Sequence, residues 1–199
     1  MNTEVKGFDP EESLALIRSM IETTRASIKD SSHYFLLWGW ATMIGCIVQF
    51  VLKNVVHYEH HYYAWFITPF ALMIQFIFIA NDRKTENIKT YIGQANGYLW
   101  LAIGFSFLVL AFIFSRIGWQ YSFPFYILFY GLGTSVSGAF LQFKPMVIGG
   151  ASCFVFAAVA AYIPYDLQIL LTAFAILVSY IIPGYLLRLR HRHTKQNTF

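Results

Sequence analysis

Charge is what this chain has least of, and its absence is organised. Six stretches contain no Asp, Glu, Lys or Arg: Tyr34–Leu52, Tyr62–Asn81, Thr90–Ser115, Ile117–Phe143, Pro145–Tyr165 and Leu167–Leu187. The shortest has 19 residues and the longest 27. About 20 apolar residues of helix cross the hydrocarbon layer of a bilayer. Only 12% of the 199 residues are charged, against 57% hydrophobic and 19% aromatic. Soluble domains carry about twice that charged fraction, and a soluble chain this apolar would expose aggregating patches. The expected fold is therefore all-α: a polytopic transmembrane bundle of six helices preceded by a cytoplasmic amphipathic helix. The spans fall at about 34–52, 62–81, 96–115, 123–141, 145–163 and 167–187, with 1–32 an N-terminal segment and 188–199 a basic tail.

Other absences narrow the chemistry. Proton-coupled carriers and pumps need an ionisable group at depth, and none of the six stretches supplies one. There is no HExxH, no pair of intramembrane carboxylates and no glycine-rich phosphate loop. The run Gly133–Gly138 has the serines of an intramembrane protease, but no histidine in the last two spans could act as base. The reading is non-enzymatic, with no catalytic residue and no cofactor; the distant alternative is a metal-dependent membrane enzyme using the histidines of the loop after the first span. Cys46 and Cys153, the only cysteines, fall mid-span, which excludes a disulfide framework. No cleavable signal precedes the first span, so that span is expected to direct its own insertion.

The charges that are present report orientation. Twelve of the 14 Lys and Arg fall in the N-terminal segment, the second and fourth loops and the tail. Only Lys53 and Arg116 fall on the other side. Lys and Arg are retained on the cytoplasmic side, so both termini are expected there, in a plasma membrane of bacterial type. The basic residues Arg188, Arg190, Arg192 and Lys195 follow the last span directly and are expected to meet lipid headgroups, each attraction about 1 kcal/mol near an anionic surface. A tail this short offers no folded reader, which argues against nucleic acid.

Asp9-Pro10-Glu11-Glu12 is a helix start: Asp9 can cap, Pro10 suits the first position and Glu12 completes a capping box. Leu14, Ile17, Ile21 and Ile28 then recur at helical spacing, with Arg18, Arg25 and Lys29 along one border. That stripe suits a helix lying among headgroups or packed on the bundle, or a seam for a second helix. The implied partners are membrane lipids, a second copy of the chain, or a membrane or cytoplasmic protein.

In lipid, close helix packing relies on small residues. Gly149, Cys153, Ala157 and Ala161 form a ladder in the fifth span, and Gly131, Ser135 and Ala139 form one in the fourth. The short link around Gln142–Pro145 makes these spans antiparallel neighbours, so the ladders are expected to face each other or another protomer. Pro69 is expected to bend the second span within the membrane. Trp38, Trp40, Trp65, Trp100 and Trp119 are expected to form interfacial belts.

The one concentrated set of metal-ligating groups is His57, Glu59, His60 and His61, in the loop after the first span. On a helix, His57 and His61 would lie one turn apart and could chelate a divalent ion.

Glu12–Ile17, Phe35–Trp40 and the closing Ile181–Leu187 together resemble a family of bacterial six-span integral membrane proteins. That resemblance implies the architecture and carries no activity. The expected function is that of a regulatory, sensory or assembly partner acting through helix contacts. The alternative is a small oligomeric permease or channel subunit for neutral or apolar solutes. An aromatic-filled centre would favour the first and a continuous polar path the second. The orientation is testable: a reporter active only in the cytoplasm should function when fused to either terminus and be silent when inserted after Glu59.

Overall fold

The first helix does not stop where the first span begins. The computed structural model describes residues 10–85 and 91–196, and α1 runs unbroken over Pro10–Asn54, 45 residues. The expected separation of an N-terminal helix from the first span is thereby corrected. The junction Ile28-Lys29-Asp30-Ser31-Ser32-His33-Tyr34 holds no Pro or Gly to interrupt the backbone ladder. At 1.5 Å per residue α1 is about 68 Å long, more than twice the hydrocarbon thickness.

Six further helices follow: α2 (Ile67–Thr85), α3 (Tyr91–Ile117), α4 (Ser122–Phe140), α5 (Lys144–Ala160), α6 (Tyr165–Ile176) and α7 (Ile182–Gln196). A π-helical turn, Leu177–Ile181, joins α6 and α7 into one rod. The fold is an all-α bundle. Among the described residues five segments are long and apolar enough to cross a membrane: Ser32–Asn54, His61–Asn81, Ile92–Ile117, Trp119–Phe140 and Tyr165–Leu189. The remaining apolar helix, α5, has 17 residues. It ends short of the expected boundary because the residue before a proline avoids helical dihedrals, and Pro164 follows Ile163 directly.

Two prolines act differently from expectation. Pro69 is the third residue of α2, which starts at Ile67 after a 3-10 turn over His61–Phe66. In a first turn its missing N–H has no helical partner to lose, so it marks a helix start. Pro183 lies inside the α6–α7 rod, where the Ser179 carbonyl would have awaited its N–H. The π turn takes up that mismatch, as such turns commonly do.

The α4–α5 hairpin is the tightest part of the bundle. Gln142, at φ 49°, sits in the left-handed region, and the amides of Gln142 and Phe143 return to the carbonyls of Ala139 (3.1 Å) and Gly138 (2.9 Å). This is a Schellman closure with Gln in the place glycine usually takes. Phe143 is buried beyond it, and Pro145 opens α5. A Cβ on Gly150 would lie 2.5 Å from the backbone nitrogen of Ser135, and one on Gly131 would lie 2.7 Å from Cys153 Cβ. Gly149 turns the other way, with a Cβ there 3.0 Å from Ser179 Cα in the π turn. The small residues of α5 therefore serve two neighbours, α4 through Gly150 and Cys153, and the π turn through Gly149. Ala139 and Ala161 are exposed and belong to neither contact, so within one protomer the ladders meet only through their inner positions.

The α1 span lies against α6, the π turn and α7. Helices α2 and α3 sit at the periphery, with most of their side chains exposed, the arrangement expected of lipid-facing spans. Gly118, at φ 110°, permits the reversal between α3 and α4.

Gly150→Leu should lower the unfolding free energy by about 1–3 kcal/mol through overpacking against Ser135, read by thermal unfolding in detergent. Gly104→Leu, where no atom lies within 4 Å, should change stability by less than about 0.5 kcal/mol.

Candidate functional site

Two polar assemblies tie the bundle together, one at each end. They flank an aromatic centre.

At the Lys53 end, Gln49 of α1 is 2% exposed. Its amide oxygen accepts from Trp65 Nε1 at 2.8 Å. Its amide nitrogen lies 3.3 Å from His61 Nδ1 and donates to the Tyr165 hydroxyl at 3.2 Å. One side chain thus joins α1 to the His61–Phe66 turn and to the start of α6. One turn further along α1, Lys53 pairs with Asp166, and its ammonium lies 4.5 Å from the centroid of the Tyr165 ring. Lys53 closes the last turn of α1 and Asp166 opens the first turn of α6, so each charge also complements a helix dipole. Both side chains are about a third exposed or more, which keeps the pair in the range of about 0–1 kcal/mol. The buried amide is the stronger constraint, because each of its partners would be stranded without it.

At the opposite end, Trp100 Nε1 donates to Ser137 Oγ at 3.0 Å, and Ser137 donates to Asn96 Oδ1 at 2.6 Å. These bonds fasten α3 to α4. Trp38 Nε1 donates to Gln75 Oε1 at 2.7 Å, fastening α1 to α2. Trp40 Nε1 reaches the Tyr185 hydroxyl at 3.3 Å. Four of the five tryptophans therefore pin one helix to another, and Trp119 remains exposed.

Between these ends the centre is filled by rings. Tyr180, 2% exposed, meets Phe35 at 5.5 Å, Trp100 at 5.7 Å and Tyr130 at 5.4 Å between centroids, all near edge-to-face. Each such pair adds about 0.5–1.5 kcal/mol beyond its buried area. The Tyr130 hydroxyl is 3.0 Å from Thr42 Oγ1. Among the described residues the Ser135 hydroxyl oxygen has no hydrogen-bond partner, beside the contact with Gly150.

The candidate metal ligands part company. His57 takes a left-handed conformation, φ 55°, that closes α1, while the Tyr58 amide reaches back to the Leu52 carbonyl at 2.8 Å. His60 stacks on Tyr63 with centroids 5.4 Å apart. His61 turns inward to Gln49, and Glu59 is exposed. Among the described residues no three His, Cys, Asp or Glu side chains assemble for an ion. The expected chelate needed a helix through this loop. The left-handed turn at His57 replaces it, so no metal ligand is assigned here.

Of the remaining expected residues, Leu14 is exposed on α1 and Arg188 is exposed on α7. The side chains of Ile17, Ile21, Ile28, Arg190, Arg192 and Lys195 lie outside the described residues, as does Asp9. Ser135 and Ala157 lie within the packed α4–α5–α6 region.

No family model, no curated protein and no solved structure matches the chain.

Gln49→Leu should cost about 1–3 kcal/mol by leaving Trp65 and Tyr165 without their partner. Gln120→Leu, at an exposed position, should change thermal unfolding by less than about 0.5 kcal/mol.

Proposed function

We propose that this chain is a non-catalytic multi-pass membrane protein, a regulatory, sensory or assembly partner, whose working element is α1. The observation that carries this reading is the continuity of α1 from Pro10 to Asn54. One end of the helix is built into the centre through Phe35, Thr42 and Gln49. The other end bears the apolar stripe Leu14, Ile17, Ile21 and Ile28 and extends about 33 Å beyond the start of the span. A rigid helix shared by a bundle core and an external face transmits a change at either end without a separate linker.

The packed aromatic centre supports contact rather than passage. Phe35, Trp100, Tyr130 and Tyr180 fill the space that a solute path through one protomer would require. The placement of Lys and Arg supports a plasma-membrane orientation with both termini in the cytoplasm, which puts the stripe of α1 on the cytoplasmic side. Membrane lipids, a second copy of the chain and a membrane or cytoplasmic protein are the partners this surface fits.

The double substitution Ile17→Glu with Ile21→Glu in the full chain should reduce the assembly recovered from native membranes at least tenfold, measured by native gel or mass photometry. The thermal unfolding midpoint should be unchanged. An undiminished assembly, together with solute-dependent swelling of proteoliposomes, would replace this reading with transport.

A further inference from the structure

The bonding at Gln49 has a direction. An indole N–H only donates, so the atom that meets Trp65 must be the amide oxygen of Gln49. That leaves both amide protons for His61 Nδ1 and the Tyr165 hydroxyl. A donor aimed at Nδ1 requires a lone pair there. His61 must then be neutral, with its proton on Nε2.

Protonating Nδ1 would set one N–H against another. Rotating the amide gives no escape, because it would turn the NH2 group toward the Trp65 indole. Desolvation at this corner and the Lys53 ammonium of α1 act in the same sense, while the Asp166 carboxylate of α6, paired with Lys53, acts against them. Tyr165 of α6 and Tyr62, whose ring centroid lies 6.2 Å from that of His61, complete the titratable surroundings.

The geometry points to a pH-sensitive latch: neutral His61 fastens the start of the His61–Phe66 turn to Gln49 of α1, and protonation breaks that bond and loosens the turn. The latch is closed at neutral and alkaline pH. It opens as pH falls below the ordinary imidazole value, about 6.5. Opening leaves the Lys53–Asp166 pair in place, so the loop moves while the α1–α6 contact persists. This device is independent of the α1 stripe and goes beyond the partner reading.

The test uses the full chain in nanodiscs, following Trp65 emission as the difference between wild type and Trp65→Phe. The wild-type difference spectrum should shift to the red as pH is lowered from 8 to 5. His61→Asn keeps an acceptor oxygen near the Nδ1 position and does not titrate, so its spectrum should stay unshifted. His60→Asn should behave as wild type. Lys53→Gln removes the like charge, and its transition should move to higher pH. The latch is overturned by a flat wild-type profile, by a transition that survives in His61→Asn, or by an unmoved midpoint in Lys53→Gln.

Discussion

Backbone-to-backbone approach between α4 and α5 sets the geometry of everything around it. Apolar burial gives no drive to pack one helix on another inside lipid, so proximity depends on van der Waals contact and on what the side chains leave room for. Gly131 and Gly150 let the two backbones meet, and the Schellman closure at Gln142 fixes their start. With that hairpin in place, Gly149 presents bare backbone to the π turn. The α6–α7 rod can then lie close enough for Tyr180 to reach Tyr130, Trp100 and Phe35. The glycines and the central rings thus belong to one arrangement. Side chains at 131 or 150 would widen the hairpin, and a wider hairpin would separate the rings.

The helices were legible in the sequence because desolvation is a local property: a charge-free run long enough to cross the membrane announces itself. Their ends were less so. Pro69 reads as a mid-span kink until the loop before it is known to extend to Phe66, which makes it a first-turn residue. Pro183 lies near the end of the expected last span, and the π turn carries the rod past it to Gln196. The α5 ladder was visible, but its register was not. Small residues at 149, 150, 153 and 157 line two faces at once, and spacing does not say which face meets which neighbour.

The site was harder to foresee than the fold. Clustered histidines suggest a chelate, and the loop gives its three histidines three unrelated duties. In the sequence Gln49 reads only as one polar residue in an apolar stretch. Its importance comes from Trp65 and Tyr165, 16 and 116 positions away in sequence. The tryptophans share that difficulty: the residue that accepts each indole N–H is set by helix packing. One usable signal did exist. Gln49 and Gln75 are isolated amides inside apolar runs, and a buried amide must find donors and acceptors, for which tryptophan at a neighbouring span is a natural source.

The brevity of α5 reaches into the surrounding lipid. Seventeen residues rise about 26 Å, short of the roughly 30 Å of hydrocarbon in an average bilayer. Its neighbours α4 and α6–α7 are longer, so the mismatch lies along one side of the molecule. Acyl chains beside α5 must compress or tilt there at a cost of fractions of a kcal/mol per ångström, and shorter chains relieve it. A bundle with one short side favours lipid that is thin along that side.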